Sequence, residues 1–120
     1  MGTLRAEIIA ITAGSVEIRL PSSQSLSQQN GYVHAGAITS ILDSACGYAA
    51  LTVAPADSEV LSIEFKVNLL SPAVGEIFAA RASVKRSGKT IAVCTADAFA
   101  LTAGKEKLIA TMLATMMYTK

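Results

Sequence analysis

Alternating apolar and polar positions predict that most of this chain forms β-strands. In residues 60–69 every second position is apolar and the positions between them are polar, as expected for a strand with one buried face. The apolar set is Leu61, Ile63, Phe65, Val67 and Leu69, and the polar set is Ser62, Glu64, Lys66 and Asn68. Segments 76–86, 90–102 and 107–119 are three further strands, separated by the short connections RSGK and TAGKEK. Before them, LRAEIIAI and SVEIRLP form a hairpin that turns near Ala13 and Gly14.

One segment has a helical period instead. From Gly36 to about Thr52 the apolar residues Ile38, Ile41, Leu42, Ala45 and Ala49 recur at helical spacing, and Pro55 then stops the helix. Two short strands, one helix and four long strands with short connections predict an α+β domain with an antiparallel sheet. Because the helix carries a single charge, we expect a curved sheet to wrap around it. Small residues on one face of strand 90–102 favour a close approach of the helix: Ala92, Cys94, Ala96, Ala98 and Ala100.

Composition narrows the class of protein. A length of 120 residues predicts one domain, residues 1–120. Hydrophobic residues make up 52% and charged residues only 16%, which predicts that part of the surface is buried in an oligomer. A net charge of +1 without a basic tract argues against nucleic acid as a partner.

The cysteines and the N-terminal segment bear on the compartment. Cys46 and Cys94 lack the CxxC spacing and the histidine cluster of a zinc site, so we interpret both as small core residues in a reducing compartment. The apolar run near the N-terminus is short and contains Glu7, unlike a signal peptide. Residues 35–54 approach the length of a membrane span, but their polar residues would be costly there. We therefore expect a cytoplasmic protein without a membrane partner.

Asp43 is the only charged residue of the predicted helix. At roughly 100° per residue it lies away from the Ile38, Leu42 and Ala49 stripe and close to small residues such as Cys46 and Gly47. Small residues on a helix face are typical of a place where another backbone or a ligand comes close, and an acid among them needs a partner or a function. The alternative is a solvent-exposed face with one solubilising carboxylate.

The run GYVHAGAITSILDSACGYAA resembles the GxxHGGxxxxLxD motif of the hotdog-fold acyl-CoA thioesterases related to phenylacetyl-CoA thioesterase. The segment LSIEFKVNLLSPAVGE is similar to the strand and Pro-containing turn that follow in that family, and SGKT and GKEKLIATMLAT to its closing hairpin and last strand. The resemblance covers roughly residues 28–120. It implies a hotdog fold, in which a curved antiparallel sheet wraps around one long helix.

The resemblance also implies an activity and a site. Asp43 would be the nucleophile or the general base in the hydrolysis of an acyl-CoA thioester to a free acid and coenzyme A. The backbone amide of Ala35, at the start of the helix, would be the oxyanion donor, as helix N-termini favour negative charge. Gln28 would hold the water or the carbonyl group, and Ser62 would lie near the carboxylate. No cofactor is implied, because coenzyme A is part of the substrate.

Further residues have two interpretations each. His34 either shapes the turn that enters the helix or contacts the thioester, and no metal site is expected around it. The family usually has HGG where this chain has His34, Ala35 and Gly36, so the amide is kept while a Cβ is added next to the predicted substrate-binding residue Gly36. Three basic residues near the SGK turn either bind the phosphates of coenzyme A or are a solvated hairpin tip: Lys85, Arg86 and Lys89.

The spacing of the two main site residues has a consequence for assembly. Ala35 and Asp43 are eight residues apart, about 12 Å along a helix, so the two groups of one chain cannot contact the same carbonyl. If both take part, the partners include a second copy of the chain, at least in a dimer and, by the resemblance, in a tetramer. Two other functions stay open: a non-catalytic acyl-CoA binding protein, and another hotdog enzyme such as an acyl dehydratase or hydratase.

Overall fold

The computed structural model describes residues 6–22 and 32–120, and of residues 32–34 the backbone only. Within these ranges lie the strands β1 (Glu7–Thr12) and β2 (Ser15–Pro21), the helix α1 (Tyr32–Leu51), and the strands β3 (Glu59–Leu69), β4 (Ile77–Ser87), β5 (Ile91–Thr102) and β6 (Lys105–Thr119). The strands form one antiparallel sheet in the order β1-β2-β4-β5-β6-β3. The predicted element order and the α+β class are confirmed.

The helix packs against the concave face of this sheet, from β2 to β3. The predicted stripe of apolar residues is buried, from Ile38 at 1% exposure to Ala49 at 0%. The helix begins at Tyr32, however, four residues before the predicted start at Gly36. Because the first described core residues of the helix are Ala37 and Ile38, the hydrophobic pattern does not reveal the first turn.

Small side chains in the sheet allow this close packing. The predicted face of β5 is buried against α1, and its neighbours in β4 and β6 continue the same surface: Ala80, Ala82, Ala110 and Ala114. Larger residues such as Phe78 and Met112 fill the remaining space of the core. A core of this kind brings the helix close to the sheet without bulky side chains between them.

Tight turns join the strands where the sequence predicts them. Gly14 closes the β1–β2 hairpin with a φ of 79°. Between β5 and β6, Ala103 and Gly104 have φ values of 49° and 78°, the pair of positive angles that a two-residue hairpin loop of type I′ requires. The predicted short connections around β4, β5 and β6 are confirmed.

The edge strand β3 departs from the predicted alternation. A β-bulge lies between Ser62 and Glu64, so Ile63 is an extra residue relative to β6. Beyond the bulge, Phe65 and Val67 lie opposite the buried Ala114 and Met112 on the concave face. Before it, Val60 and Ser62 take that face instead, and the prediction that Leu61, Ile63 and Phe65 share one face is wrong. A period of two cannot predict the extra residue that shifts it.

The sheet covers one side of the helix only. Outward-facing residues of α1 are exposed, among them Gly36, Ser40, Tyr48 and Leu51. The predicted sheet around the helix is confirmed on this side, and the outward face of the helix stays open in a single chain. Glycine, hydroxyl and tyrosine side chains make an uncharged helix face compatible with water.

Candidate active site

A cavity of about 390 Å³ opens between the second half of α1 and the beginning of β3. We call it the Asp43 cavity. The helix contributes Asp43, Ser44, Gly47, Tyr48 and Leu51, the strand and the residue before it contribute Ser58, Glu59, Val60 and Ser62, and β6 contributes Met116. Tyr118 lies opposite Val60 in the sheet and donates a hydrogen bond to the carbonyl oxygen of Ala50 at 3.0 Å. This bond ties the end of the helix to the beginning of β3, so Asp43 and Ser62 lie at one end of the cavity and Leu51 and Glu59 at the other.

Asp43 projects its carboxylate into this cavity. The side chain is half-buried, and its Oδ1 is shielded from solvent without a hydrogen-bond partner among the residues that the structure describes. Leaving a buried acceptor unpaired costs on the order of 1–3 kcal/mol, more for a charged group. A solubilising carboxylate would turn both oxygens to water, so this geometry favours a reactive or ligand-binding role over the solubilising one.

Ser62 reaches the same cavity because of the β3 bulge. It lies opposite the buried Met116 in the sheet, and paired residues of neighbouring strands face the same side. The alternation in the sequence had placed Ser62 on the polar face, whereas the family resemblance had placed it near the carboxylate. The structure brings Asp43 and Ser62 together.

Ala35 lies elsewhere, in a second cavity of about 340 Å³ that we call the Ala35 cavity. It lies between the beginning of α1 and the end of β3, and Leu69, Leu70 and Pro72 line its other side. Because α1 begins at Tyr32, Ala35 is the fourth helical residue and not the first, which corrects the predicted position of its amide. The first turn contains no acidic residue, so no carboxylate of its own neutralises the positive end of the helix dipole. The oxyanion role of the Ala35 amide stays a prediction.

The other residues predicted around Ala35 are placed only in part. His34 lies in the first turn of α1, with its backbone alone described, and Gln28 lies outside the described residues. Gly36 is exposed, and a Cβ added to it would meet no atom within 4 Å among the described residues. The structure leaves room for a ligand beside Gly36 and does not test the roles of His34 and Gln28.

The predicted phosphate-binding residues lie at the β4–β5 hairpin, outside both cavities. Lys85, Arg86 and Lys89 are all exposed. The hairpin is nevertheless at the same end of the sheet as Glu59. The backbone N–H of Tyr118 donates to the carbonyl oxygen of Thr90, in the hairpin, at 2.8 Å, and the next residue, Thr119, pairs with Glu59. A solvated hairpin tip and a phosphate contact both remain compatible with this position.

The two cysteines are buried, as predicted, but they are not isolated in space. Both are 0% exposed, and the Cys94 thiol donates to the carbonyl oxygen of Cys46 across 3.6 Å. Contact with the Cys94 thiol, followed by burial, raises the pKa of the Cys46 thiol. Cys46 therefore stays protonated, which suits a core residue and not a nucleophile.

Comparison with known proteins identifies the family. The family model described as the thioesterase superfamily matches residues 30–107. These residues include α1, which lines both cavities, and the strands β3, β4 and β5. The chain belongs to the thioesterase superfamily.

Solved structures confirm the fold of this superfamily member. A thioesterase family protein from Silicibacter pomeroyi is 49% identical, with a TM-score of 0.93 over 98% of this chain and 87% of that chain. The PaaI protein of the phenylacetic acid degradation operon of E. coli matches at 18% identity, with a TM-score of 0.85 over 98% of this chain and 81% of its own. A protein from Bacillus halodurans solved with CoA matches at 21% identity and a TM-score of 0.81, over 95% and 74% of the two chains. The predicted hotdog fold and the resemblance to phenylacetic-acid-related thioesterases are confirmed.

One relative is matched over a smaller share of its length. A protein of Saccharolobus solfataricus that is named as an esterase is 32% identical to this chain over 90 residues. The match covers 75% of this chain of the thioesterase superfamily and 64% of that protein. The match thus spans less than two thirds of the length of that relative.

Several residues of the Asp43 cavity escaped the sequence-based prediction. On the helix these are Ser44, Tyr48 and Leu51, which follow Asp43 by one, five and eight residues. That spacing puts them along one side of a helix and could have revealed them. Glu59 and Met116 come from distant strands and carry no comparable sequence pattern.

Within residues 6–22 and 32–120, no three side chains of His, Cys, Asp or Glu are grouped to hold a metal ion. In the same ranges, no helix combines the length and hydropathy required to cross a membrane.

Proposed function

We propose that this protein hydrolyses an acyl-CoA thioester to a free acid and coenzyme A, with Asp43 as nucleophile or general base. The observation that carries the proposal is the Asp43 carboxylate, whose Oδ1 is shielded and unpaired in the wall of a cavity. Membership of the thioesterase superfamily supports this reaction class. The CoA bound to the Bacillus halodurans protein supports CoA as the carrier of the acyl group.

Two chemical routes fit a carboxylate in this position. As a nucleophile, Asp43 attacks the thioester carbonyl carbon, expels the coenzyme A thiolate and forms an anhydride that water then hydrolyses. As a general base, it takes a proton from a water molecule that attacks the same carbon. Ser62, which lines the same cavity, is the candidate for orienting the carboxylate or the water by hydrogen bonding. Both routes develop negative charge on the carbonyl oxygen, which requires a donor such as the Ala35 amide.

A second copy of the chain supplies that donor in the arrangement we propose. The Asp43 cavity lies beside the beginning of β3 and the Ala35 cavity beside its end. If two β3 edge strands pair antiparallel about a two-fold axis, the beginning of one strand meets the end of the other. The Asp43 cavity of one copy then adjoins the Ala35 cavity of its partner. The half-exposed apolar residues of β3, such as Leu61 and Ile63, favour this edge for pairing.

The remaining partners follow from the same proposal. Lys85, Arg86 and Lys89 are exposed basic residues and stay candidates for the phosphates of coenzyme A. His34 and Gln28 are candidates for contacts with the thioester and the attacking water. Tetrameric assembly and a cytoplasmic location stay predictions.

The test compares the wild-type protein with Asp43→Asn. Both are incubated with acetyl-, octanoyl-, benzoyl- and phenylacetyl-CoA, and the free thiol of coenzyme A is measured. We expect the wild type to hydrolyse at least one of them and the variant to lose about a hundredfold or more in kcat. Asparagine keeps the size of the side chain, so the fold and the affinity for acyl-CoA should be retained.

A matched control and the contrary outcomes complete the test. Asp97→Asn removes a carboxylate from the outer face of β5, where it accepts a hydrogen bond from Thr111 at 2.7 Å, and should leave turnover unchanged. If the wild type binds acyl-CoA without turnover, the protein is a binding protein and the proposal is wrong. If it hydrates crotonyl-CoA or dehydrates 3-hydroxybutanoyl-CoA, measured beside the panel, and leaves the thioester intact, the hydratase alternative is correct.

A further inference from the structure

Gly47 is a glycine that the packing of this chain does not explain. It lies inside α1, where glycine is the least favourable residue apart from proline. A Cβ added at this position would meet no atom of the described residues within 4 Å, so none of these neighbours requires its absence. Its backbone does not require glycine either, because the only glycines with positive φ among the described residues are Gly14 and Gly104.

Gly75, in the loop between β3 and β4, is a glycine that packing does explain. At Gly75, a Cβ would lie 3.0 Å from the Cβ of Ala100 and 3.2 Å from the Thr102 hydroxyl oxygen, so close packing disfavours a side chain there. At Gly47 the missing side chain instead leaves open volume, and that volume belongs to the Asp43 cavity. The reason for this glycine therefore lies with an occupant of the cavity.

We propose that Gly47 determines the size of the acyl group, which lies in the Asp43 cavity along the second half of α1. This inference rests on the proposed thioester hydrolysis. With the carbonyl carbon at Asp43, the acyl group extends past residue 47 towards Leu51, eight residues and about 12 Å further along the helix. A side chain at residue 47 would block this path about halfway.

The lining of the cavity defines the class of acyl group. Leu51, Val60 and Met116 offer apolar surface, which favours an apolar group longer than acetyl. Both charged residues of the lining, Asp43 and Glu59, are acidic, and no lysine, arginine or histidine lines the cavity in the described part of the chain. An acyl group with a second carboxylate would meet only like charge. The substrate class is an uncharged, apolar acyl group, and succinyl-CoA is a poor substrate.

The test is a series at this position, with wild type, Gly47→Ala and Gly47→Leu. For each protein kcat/KM is measured with acetyl-, butanoyl-, octanoyl- and succinyl-CoA. We expect Gly47→Leu to lose at least about tenfold more activity with octanoyl-CoA than with acetyl-CoA, with Gly47→Ala between it and the wild type. Both substitutions should raise Tm, because alanine and leucine favour a helix more than glycine does. A loss of activity by misfolding would lower it.

Ser40→Leu is the matched control. Ser40 is exposed on the same side of α1, seven residues before Gly47, and lines neither cavity. We expect this variant to keep the acyl-chain preference of the wild type. If Ser40→Leu changes the preference as strongly as Gly47→Leu does, the cavity is not the acyl site and the inference is wrong.

Further outcomes separate this inference from the proposed hydrolysis. If Asp43 is required for turnover but Gly47→Leu slows all substrates equally, hydrolysis stands and the acyl-pocket inference falls. It falls likewise if Gly47→Leu reduces the molecular mass of the assembly, because residue 47 would then pack against a second copy. Titration of octanoyl- and acetyl-CoA into the Asp43→Asn protein, with and without Gly47→Leu, tests the pocket without turnover. Selective weakening of octanoyl-CoA binding supports the inference even if hydrolysis is absent.

Discussion

Asp43 and Gly47 occupy neighbouring positions of one helix, and neither is explained by the stability of the folded chain. A buried acceptor without a partner and a glycine inside a helix each lower the free energy of unfolding by about 1 kcal/mol or more. Both residues face the same cavity. Such local costs are typical of positions that contact a ligand.

Unlike Asp43 and Gly47, the two cysteines are explained by their position in the core, and their reactivity can be tested. Because both thiols are 0% exposed, we expect neither to react with a thiol reagent such as dithionitrobenzoate in the native protein. Both should react within minutes in guanidinium chloride. Fast modification of the native protein would contradict the buried position of the pair.

Because the pKa of Cys46 is raised in the folded protein, the free energy of unfolding should depend on pH. The Cys46 thiol of the unfolded chain ionises at about pH 8.5, whereas the same thiol in the folded protein ionises only at a higher pH. Its contribution to the free energy of unfolding is therefore complete below that pH and is lost as the pH rises above it. Thermal unfolding between pH 7 and pH 10 measures this, with Cys46→Ala as the control in which the contribution of this group is absent.

At the scale of elements, the sequence predicts strands and turns well because each leaves a local pattern. The order of the elements, the core stripe of α1 and the glycine turns followed from such patterns. The bulge in β3 did not, because it depends on how the strand pairs with β6, and the first turn of α1 did not, because it contributes no described residue to the core. Asp43 was predicted from its small neighbours and from the motif, whereas Glu59 and Met116 reach the cavity only through the fold.

The loop between β3 and β4 offers a test at this scale. It packs closely on the end of β5, since a Cβ at Gly75 would lie 3.0 Å from Ala100. We expect Gly75→Ala to lower the free energy of unfolding by about 1–3 kcal/mol, as measured by chemical denaturation. Because the same loop lines the Ala35 cavity through Pro72 and Ala73, activity should fall as well.

Gly88→Ala is the matched substitution in another loop. Its Cβ would make an ordinary contact, 3.6 Å from the carbonyl oxygen of Ile91, so we expect a change in stability well below that of Gly75→Ala. Equal effects of the two substitutions would mean that the loop adjusts freely and does not hold the Ala35 cavity in shape.

At the scale of the whole molecule, the edge strand and the helix leave apolar and uncharged surface open on the same side. Leu61 and Ile63 are 53% and 49% exposed on the edge strand, and the outward face of α1 carries no charge beyond Asp43. The two cavities lie along this side, one at each end of β3. An assembly of copies along β3 would cover the apolar surface and bring unlike cavities together.

This assembly makes a prediction about mass and activity together. We expect the wild type to have at least twice the chain mass of 12.4 kDa in light scattering. The double variant Leu61→Lys and Ile63→Lys should be a folded monomer with at least about a hundredfold lower activity, because charge on an edge strand opposes pairing.

Leu113→Lys places one lysine on the outer face of β6, away from the edge, and should leave at least a dimer with full activity. If the wild type is a monomer and hydrolyses thioesters, the site is not shared between Asp43 of one copy and Ala35 of another.

The bulge at Ile63 also bears on how relatives of this chain should be compared. Beyond it, β3 is held in place by the pairing of Phe65 and Val67 with β6, so removal of one residue at position 63 would rotate the part of the strand before it. Ser62 would turn to the outer face and Leu61 would enter the Asp43 cavity. A homologue with this deletion would keep every candidate residue in its alignment and still lack the hydroxyl beside the carboxylate, so the length of β3 is as informative as the identity of its residues.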